Sequence, residues 1–323
     1  MHNPDNQDIV DKVSPQNHLH MHNLKTNFDK FLQIVNEFLA EELNQDGNMR
    51  FYPNKPQMPD AQIIALSICS EVLGIDSENL LWSKLDSDFR DDFPNLPHRT
   101  NYNRRRKNLA DHIHLVNEKI AGSLSSDIGY FILDSMPVPV CRLARERRCR
   151  ICRESFETAP NKGYTASLAK WFYGYKLQLI TTIEGVFKAM ELTKASVHDV
   201  HFIDEIRAHK LVEQGVIIAD RGYLSGPRQM ELFDQCQVRM HTPMRRGQRN
   251  YKTFPVIFKK KRKRIETLFA QLCDQMMIRR NYAKSFIGLR TRLISKVAAV
   301  TVLQLVNFRN DKPINQLKHA LAA

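Results

Sequence analysis

Two short apolar runs, each stopped by a carboxylate, limit what this chain can fold into. Tyr130-Phe131-Ile132-Leu133 ends at Asp134, and Val216-Ile217-Ile218-Ala219 ends at Asp220. Apolar runs of this length read as buried strands of a sheet, and the acid that stops each one is delivered to the sheet's rim. A third acid, Glu266, comes just after six consecutive basic residues, Lys259–Arg264, and opens a helical pattern. The chain must therefore build a core that brings strand ends and a helix together.

The rest of the chain divides by pattern. Residues 1–23 read as a loose tail whose His18, His20 and His22 lack other ligands to close a metal site. From Leu24 to Leu39 the apolar positions keep helical spacing, and a linker with Pro53, Pro56 and Pro59 follows. A second helix is expected from Asp60 to Leu73, stopped by Gly74, and a third begins at a cap on Asp76 or Ser77. Helix, short turn, helix is compatible with a helix-turn-helix or with a plain helical hairpin. Thr100 is expected to cap a fourth helix reaching Ile120, with Arg104, Arg105, Arg106 and Lys107 in its early turns. Cations there oppose the helix dipole, which points to an anionic partner.

After residue 125 strands dominate. Gly174–Thr182 and Val186–Leu192 form a hairpin across Ile183-Glu184-Gly185. A helix from Asp199 to Val212, the strand Val216–Ala219, a helix after Pro227 and a strand near Gln237–Thr242 come next. From Arg262 onward the chain reads helical, with breaks near Gly288 and Asn310. The fold class is α/β: a mixed five-stranded sheet flanked by helices, behind an N-terminal all-helical region. The boundaries are a tail at 1–23, helices at 24–125, a sheet domain at 126–275 with a basic insertion at 141–170, and C-terminal helices at 276–323.

Charge narrows the partners. Against 35 acidic residues stand 48 Lys and Arg, a net charge of +13. The excess is clustered at Arg104–Lys107, between Arg142 and Arg153, at Arg245, Arg246 and Arg249, and at Lys259–Arg264. One such cluster could be solvated surface, or for Lys259–Arg264 a nuclear-localisation-like stretch. Four together favour a polyanion, most simply nucleic acid. The polar start Met1–Gln16 does not read as a signal peptide, and Val297–Val306 is too short for a membrane span. Six scattered cysteines read as reduced thiols of a cytosol. Cys141, Cys149 and Cys152 invite zinc, but no second ligand pair follows at finger spacing, and a basic DNA-contacting insertion is the better reading.

Asp134, Asp220 and Glu266 together offer hard oxygen ligands to a pair of Mg²⁺ ions, the arrangement needed for in-line attack on a phosphodiester. Singly, each has a plain explanation: a strand-end Asp as turn residue, or Glu266 paired with Arg262 one turn earlier. Arg262 could hold a phosphate, with the Lys259–Arg264 run positioning the DNA backbone. Asp199 serves as a helix N-cap or, with His198, supports the acids from behind. Lys176, on a strand near Trp171, Phe172 and Tyr173, could touch DNA, although core packing also explains those aromatics.

Several stretches resemble transposases of bacterial insertion sequences of the DDE group, most closely the insertion-sequence 982 family. They are Leu133-Asp134-Ser135-Met136-Pro137-Val138-Pro139-Val140-Cys141, Gly174-Tyr175-Lys176-Leu177, Ala195-Ser196-Val197-His198-Asp199-Val200, Ala219-Asp220-Arg221-Gly222-Tyr223 and Arg264-Ile265-Glu266-Thr267-Leu268-Phe269. Ile75-Asp76-Ser77-Glu78 and Tyr102-Asn103-Arg104-Arg105 extend the likeness over roughly residues 25–310. The resemblance implies an RNase H-like domain and a catalytic, metal-holding triad of Asp134, Asp220 and Glu266. Two Mg²⁺ ions, with Mn²⁺ as substitute, would serve cleavage at the element's ends and joining of 3′-hydroxyls to target DNA. Related families place a Tyr and a Lys around the Glu, where this chain has Lys259 and Cys273; Arg262 fits their Arg.

The expected partners are double-stranded DNA, as terminal inverted repeats and target, and a second copy of the chain on that DNA. DNA contacts are expected from Arg104, Arg105, Arg106, Lys107, Arg142, Arg145, Arg147, Arg148, Lys176, Arg221, Lys260, Lys261 and Arg262. The expected setting is a bacterial cytoplasm, at the nucleoid, with no membrane contact. The alternatives are a nuclease of the same fold without strand transfer, and a decayed or repurposed protein that only binds DNA.

Overall fold

The computed structural model describes residues 24–125, 129–166, 169–249 and 251–321, so the expected tail and its histidines lie outside the described residues. Among the described residues five helices come first: α1 (Leu24–Phe38), α2 (Asp60–Val72), α3 (Glu78–Ser87), α4 (Arg99–Asn108) and α5 (Ala110–Leu124). Leu24, Phe28, Phe31 and Val35 of α1 are buried, as their spacing requires. Ser77 caps α3 by accepting from the Leu80 N–H.

The expected single helix from Thr100 is in fact α4 and α5, broken at Leu109, with His98 rather than Thr100 at its cap. Arg105, Arg106 and Lys107 therefore occupy the last turn of α4, where cations complement the dipole instead of opposing it. The anionic partner inferred from an unfavourable dipole is not needed.

The sheet has six strands: β1 (Tyr130–Cys141), β2 (Asn161–Thr165), β3 (Lys170–Thr182), β4 (Phe187–Lys194), β5 (Gly215–Ala219) and β6 (Val238–His241). β3 pairs antiparallel with β1 along one side, and with β2 and then β4 along the other. β5 joins the far side of β1 in parallel and β6 extends it in parallel. The order β4-β3-β1-β5-β6, three antiparallel strands followed by two parallel, is the RNase H-like arrangement expected. The sixth strand, β2, lies inside the basic insertion and was not expected, because Asn161-Lys162-Gly163-Tyr164-Thr165 carries no apolar run.

β1 does not end at Asp134. It runs on through Pro137 and Pro139 to Cys141, held by β3. Its pairing with β5 stops at Leu133, so the prolines lie beyond β5, where a missing N–H costs no ladder bond on that flank. The helix expected from Asp199 to Val212 is a 3₁₀ turn, Asp199–His201, followed by α6 (Phe202–Ala208). After α7 (Gly226–Cys236), α8 (Val256–Asp274) begins before the basic run, so Glu266 sits in mid-helix. Ser285 caps α9 (Phe286–Arg309), with Gly288 inside the first turn.

One face of the sheet is covered by α6 and α7: Phe202, Ile203, Ile206 and Leu232 pack with Leu133, Ile180 and Ile217. On the other face a single buried cluster joins α1, α2, α5, α8 and α9 to Met136, Val138, Leu177 and Leu179. The N-terminal helices thus share their core with α9.

At the centre of that helical body lies a buried charge cluster. Glu71 of α2 receives Lys296 and Arg292 from α9 and Arg106 from α4, with Arg292 at 3.3 Å and Arg106 at 3.6 Å. Burial pushes the Glu71 carboxyl up, but Lys296, Arg292 and Arg106 outweigh it and hold it below the usual carboxylate range. Removing the one acid strands three buried cations. Glu71→Gln is expected to cost about 3–5 kcal/mol in urea unfolding. The exposed Glu37–Arg309 pair offers the contrast: Glu37→Gln should cost no more than about 1 kcal/mol.

Candidate active site

The parallel register sets the site. Leu133 lies opposite Ala219, so the next residues, Asp134 and Asp220, emerge beside each other where β5 stops. Asp134 is largely buried, and its carboxylate accepts from the Ser135 N–H at 2.8 Å and from Arg262 Nη2 at 3.0 Å. Burial pushes the Asp134 carboxyl up to about 6. Arg262 and the Ser135 N–H pull it down, and the like charge of Asp220 adds to the rise. Asp220 caps the short turn Arg221–Tyr223, its Oδ1 accepting from the Gly222 N–H at 2.6 Å.

α8 lies across β1 and brings Arg262 to Asp134. Glu266 is one turn further on the same helix, 4.0 Å from Arg262 and more than half exposed. Among the described residues no three His, Cys, Asp or Glu side chains converge into a ready-made metal cage. The donor set nevertheless fits a hard cation. Two carboxylates emerge side by side from the sheet, Asp134 largely buried and raised partly by Asp220, with one guanidinium against Asp134. Glu266 stands close enough to Arg262 to join them only by moving.

Asp199 is not the expected helix cap: the cap positions are His198 for the short turn and His201 for the helix after it. Asp199 Oδ1 accepts from Ser135 Oγ at 3.2 Å, Lys176 Nζ at 3.0 Å and Gln178 Nε2 at 3.0 Å. Tyr223 donates to Gln178 Oε1, and burial, with Asp199, Asp134 and Asp220 nearby, raises its phenol well above the ordinary value. Sequence reasoning gave Gln178 no role. Its signal was present: a lone amide in the run Leu177-Gln178-Leu179-Ile180, fully buried. His198, just before Asp199, is exposed and makes no side-chain cap bond, so it does not support the acids as expected.

The basic residues part into two groups. Arg105 and Arg106 turn inward: Arg105 bonds to Asp60 at 2.5 Å and to the Met58 carbonyl, and Arg106 bonds to Glu78 at 3.0 Å. They are structural cations, not free DNA contacts. Lys176 is likewise engaged, with Val197 O and Asp199. Arg104, Arg142, Arg145, Arg147, Arg148, Arg221 and Lys260 are exposed, while Lys107 and Lys261 are half-buried. Cys149 and Cys152 are buried and Cys141 is half-buried; burial raises the thiols of Cys141, to about 11, and Cys152, to about 12.

Fold and site together define an RNase H-like domain with paired acids at the rim of its central strands. The chain belongs to the Transposase DDE domain family, whose pattern matches residues 125–302, more than half of its length. Among solved structures it is similar to a piggyBac transposase in a synaptic complex with hairpin DNA, at 11% identity and a TM-score of 0.46. That match covers 94% of this chain and 79% of the other. No curated protein matches it. Among the described residues no helix is long and apolar enough to cross a membrane.

The raised carboxyl of Asp134 has a consequence for stability. Its folded pKa, about 6, lies above the ordinary 3.8, so the folded state binds the proton more tightly. Its stabilising contribution is full below the lower value and is lost as pH rises through about 6. Asp134→Asn, which carries no charge to desolvate, is expected to raise the thermal midpoint relative to wild type at pH 8. The gain should shrink toward pH 4. An equal shift at both pH values would contradict the assignment.

Proposed function

We propose that the chain is an insertion-sequence transposase, related to the insertion-sequence 982 family, that cuts DNA at its element's ends and joins 3′-hydroxyl ends to target DNA. The observation that carries this reading is the register that sets Asp134 beside Asp220, under a helix bearing Arg262 and Glu266. Asp134, Asp220 and Glu266 would hold two Mg²⁺ ions, which stabilise the entering and leaving oxygens of an in-line displacement. Arg262 offers a guanidinium fork to a backbone phosphate at the site. Arg221, exposed next to Asp220, and Lys260 and Lys261, just before Arg262 on α8, track the same strand.

Further out, Arg142, Arg145, Arg147 and Arg148, in and beside the 3₁₀ turn after β1, hold the flanking duplex by charge without reading its sequence. Arg104 and Lys107 on α4 extend that surface, and the helical region 24–125 supplies recognition of the terminal repeats. Two ends must be brought together, so the working form is a homodimer on DNA, in a bacterial cytoplasm.

Excision of an element with its own flanking ends should be lost in Asp134→Asn, Asp220→Asn and Glu266→Gln, while end binding persists in gel shift. Excision by Asp220→Asn at the wild-type level would remove that residue from the site. Salt-sensitive end binding without Mn²⁺-dependent cleavage by the wild type would favour a binding-only protein. Cleavage without joined products would favour a nuclease. Replacing Arg142, Arg145, Arg147 and Arg148 with Ala should flatten the dependence of log affinity on log salt, by up to about 0.9 for each phosphate no longer neutralised. The thermal midpoint should not change.

A further inference from the structure

Asp199 lies between the two chain segments that deliver the paired acids. Its Oδ1 is fully engaged, by Ser135 next to Asp134 and by Lys176 and Gln178 of β3. None of these bonds goes to the turn that Asp199 itself begins, so helix capping does not explain the side chain. Its Oδ2 faces Gly222. A Cβ placed on Gly222 would stand 3.3 Å from Asp199 Oδ2 and 2.9 Å from Asp220 Oδ1. The second tie runs through the amide: Gln178 bonds Asp199 at one end and the Tyr223 hydroxyl, in the Asp220 turn, at the other.

β1 and the Asp220 turn are not hydrogen-bonded to each other past Leu133 and Ala219, where their ladder ends. Beyond that point the spacing of Asp134 and Asp220 has to be set by side chains. Asp199 reaches both: Ser135 on one side, and the Gly222–Tyr223 turn on the other. Lys176 neutralises the charge that this third carboxylate brings, and is itself held by the Val197 carbonyl.

We propose that Asp199 is a positioning residue that fixes the separation of Asp134 and Asp220, and thereby the site's affinity for divalent cations. This inference rests on the carboxylate-site reading above. Outer groups that orient ligand carboxylates typically change metal affinity about 10–100-fold when removed.

The test is Mn²⁺ binding to the purified full chain, followed by electron paramagnetic resonance, beside thermal unfolding and end-DNA gel shift. Asp199→Ala should weaken Mn²⁺ binding at least about tenfold while DNA affinity is kept. Asp199→Asn keeps a carbonyl oxygen for Ser135, Lys176 and Gln178, and should recover part of the loss. Gly222→Ala provides a second route, since its methyl pushes between the two carboxylates and removes neither. It should weaken Mn²⁺ binding in the same way with the fold intact.

Wild-type Mn²⁺ affinity in both Asp199→Ala and Gly222→Ala would overturn the proposal. So would a loss that only follows melting of the fold in both variants. Asp220→Asn is the control for the underlying reading. If Asp220→Asn loses Mn²⁺ binding while Asp199→Ala and Gly222→Ala do not, only the positioning role fails. If Asp220→Asn binds Mn²⁺ and cleaves like wild type, the carboxylate site itself fails.

Discussion

β1 outruns its neighbour, and the rest of the site depends on that mismatch. β3 pairs with β1 from Phe131 to Cys141, whereas β5 pairs only as far as Leu133. The result is a strand supported along its length on one flank and open on the other after its first third. Asp134 is the first residue into the open stretch. Asp220, the first residue past β5, is brought to the same level because the parallel register aligns two apolar runs of equal length. Neither acid could occupy this position inside a continuous ladder, where a charged side chain would be packed between neighbours on a covered face. The opening is what α8 crosses, and Arg262 on that helix meets Asp134 there.

The two acid-ended strands were legible in the sequence because run length is a local property. Two tetrads of apolar residues, each followed by Asp, say where two strands leave the core; that they pair in parallel, which places their ends together, is shown by the structure. The continuation of β1 was not legible. Pro137 and Pro139 read as strand breakers unless it is known that the flank they face carries no partner. β2 escaped notice for the opposite reason. It gains its order from pairing with Lys170–Gly174 of β3, not from apolar residues of its own. The break at Leu109 was hidden because helical spacing persists on both sides of it.

The cations make the same point in energetic terms. A basic cluster in a sequence does not say which of its members are solvated. Arg105 and Arg106 belong to a run that reads as one surface patch, yet both are buried against acids far away in the chain: Asp60, Glu71 and Glu78. Arg292 and Lys296 lie in an apolar helix that carries no signal of function and close on the same Glu71. These residues hold helices together at a desolvation cost that only their mutual pairing offsets. The exposed arginines after β1 incur no such cost and remain available to phosphates.

Arg262 belongs to neither population. It is mostly buried and bonded to Asp134 through Nη2, yet its Nε is buried with no acceptor. An unsatisfied buried donor costs about 1–3 kcal/mol, so this placement does not optimise the stability of α8. A guanidinium carries five N–H donors in a fixed fork, and one carboxylate oxygen uses only part of that capacity. What remains suits a tetrahedral anion better than a second carboxylate on the same helix, since Glu266 stands 4.0 Å away without forming a hydrogen bond. A phosphate at this rim would satisfy the fork and draw its charge off Asp134. The acid, already short of solvent and crowded by Asp220, would then need a cation in its place.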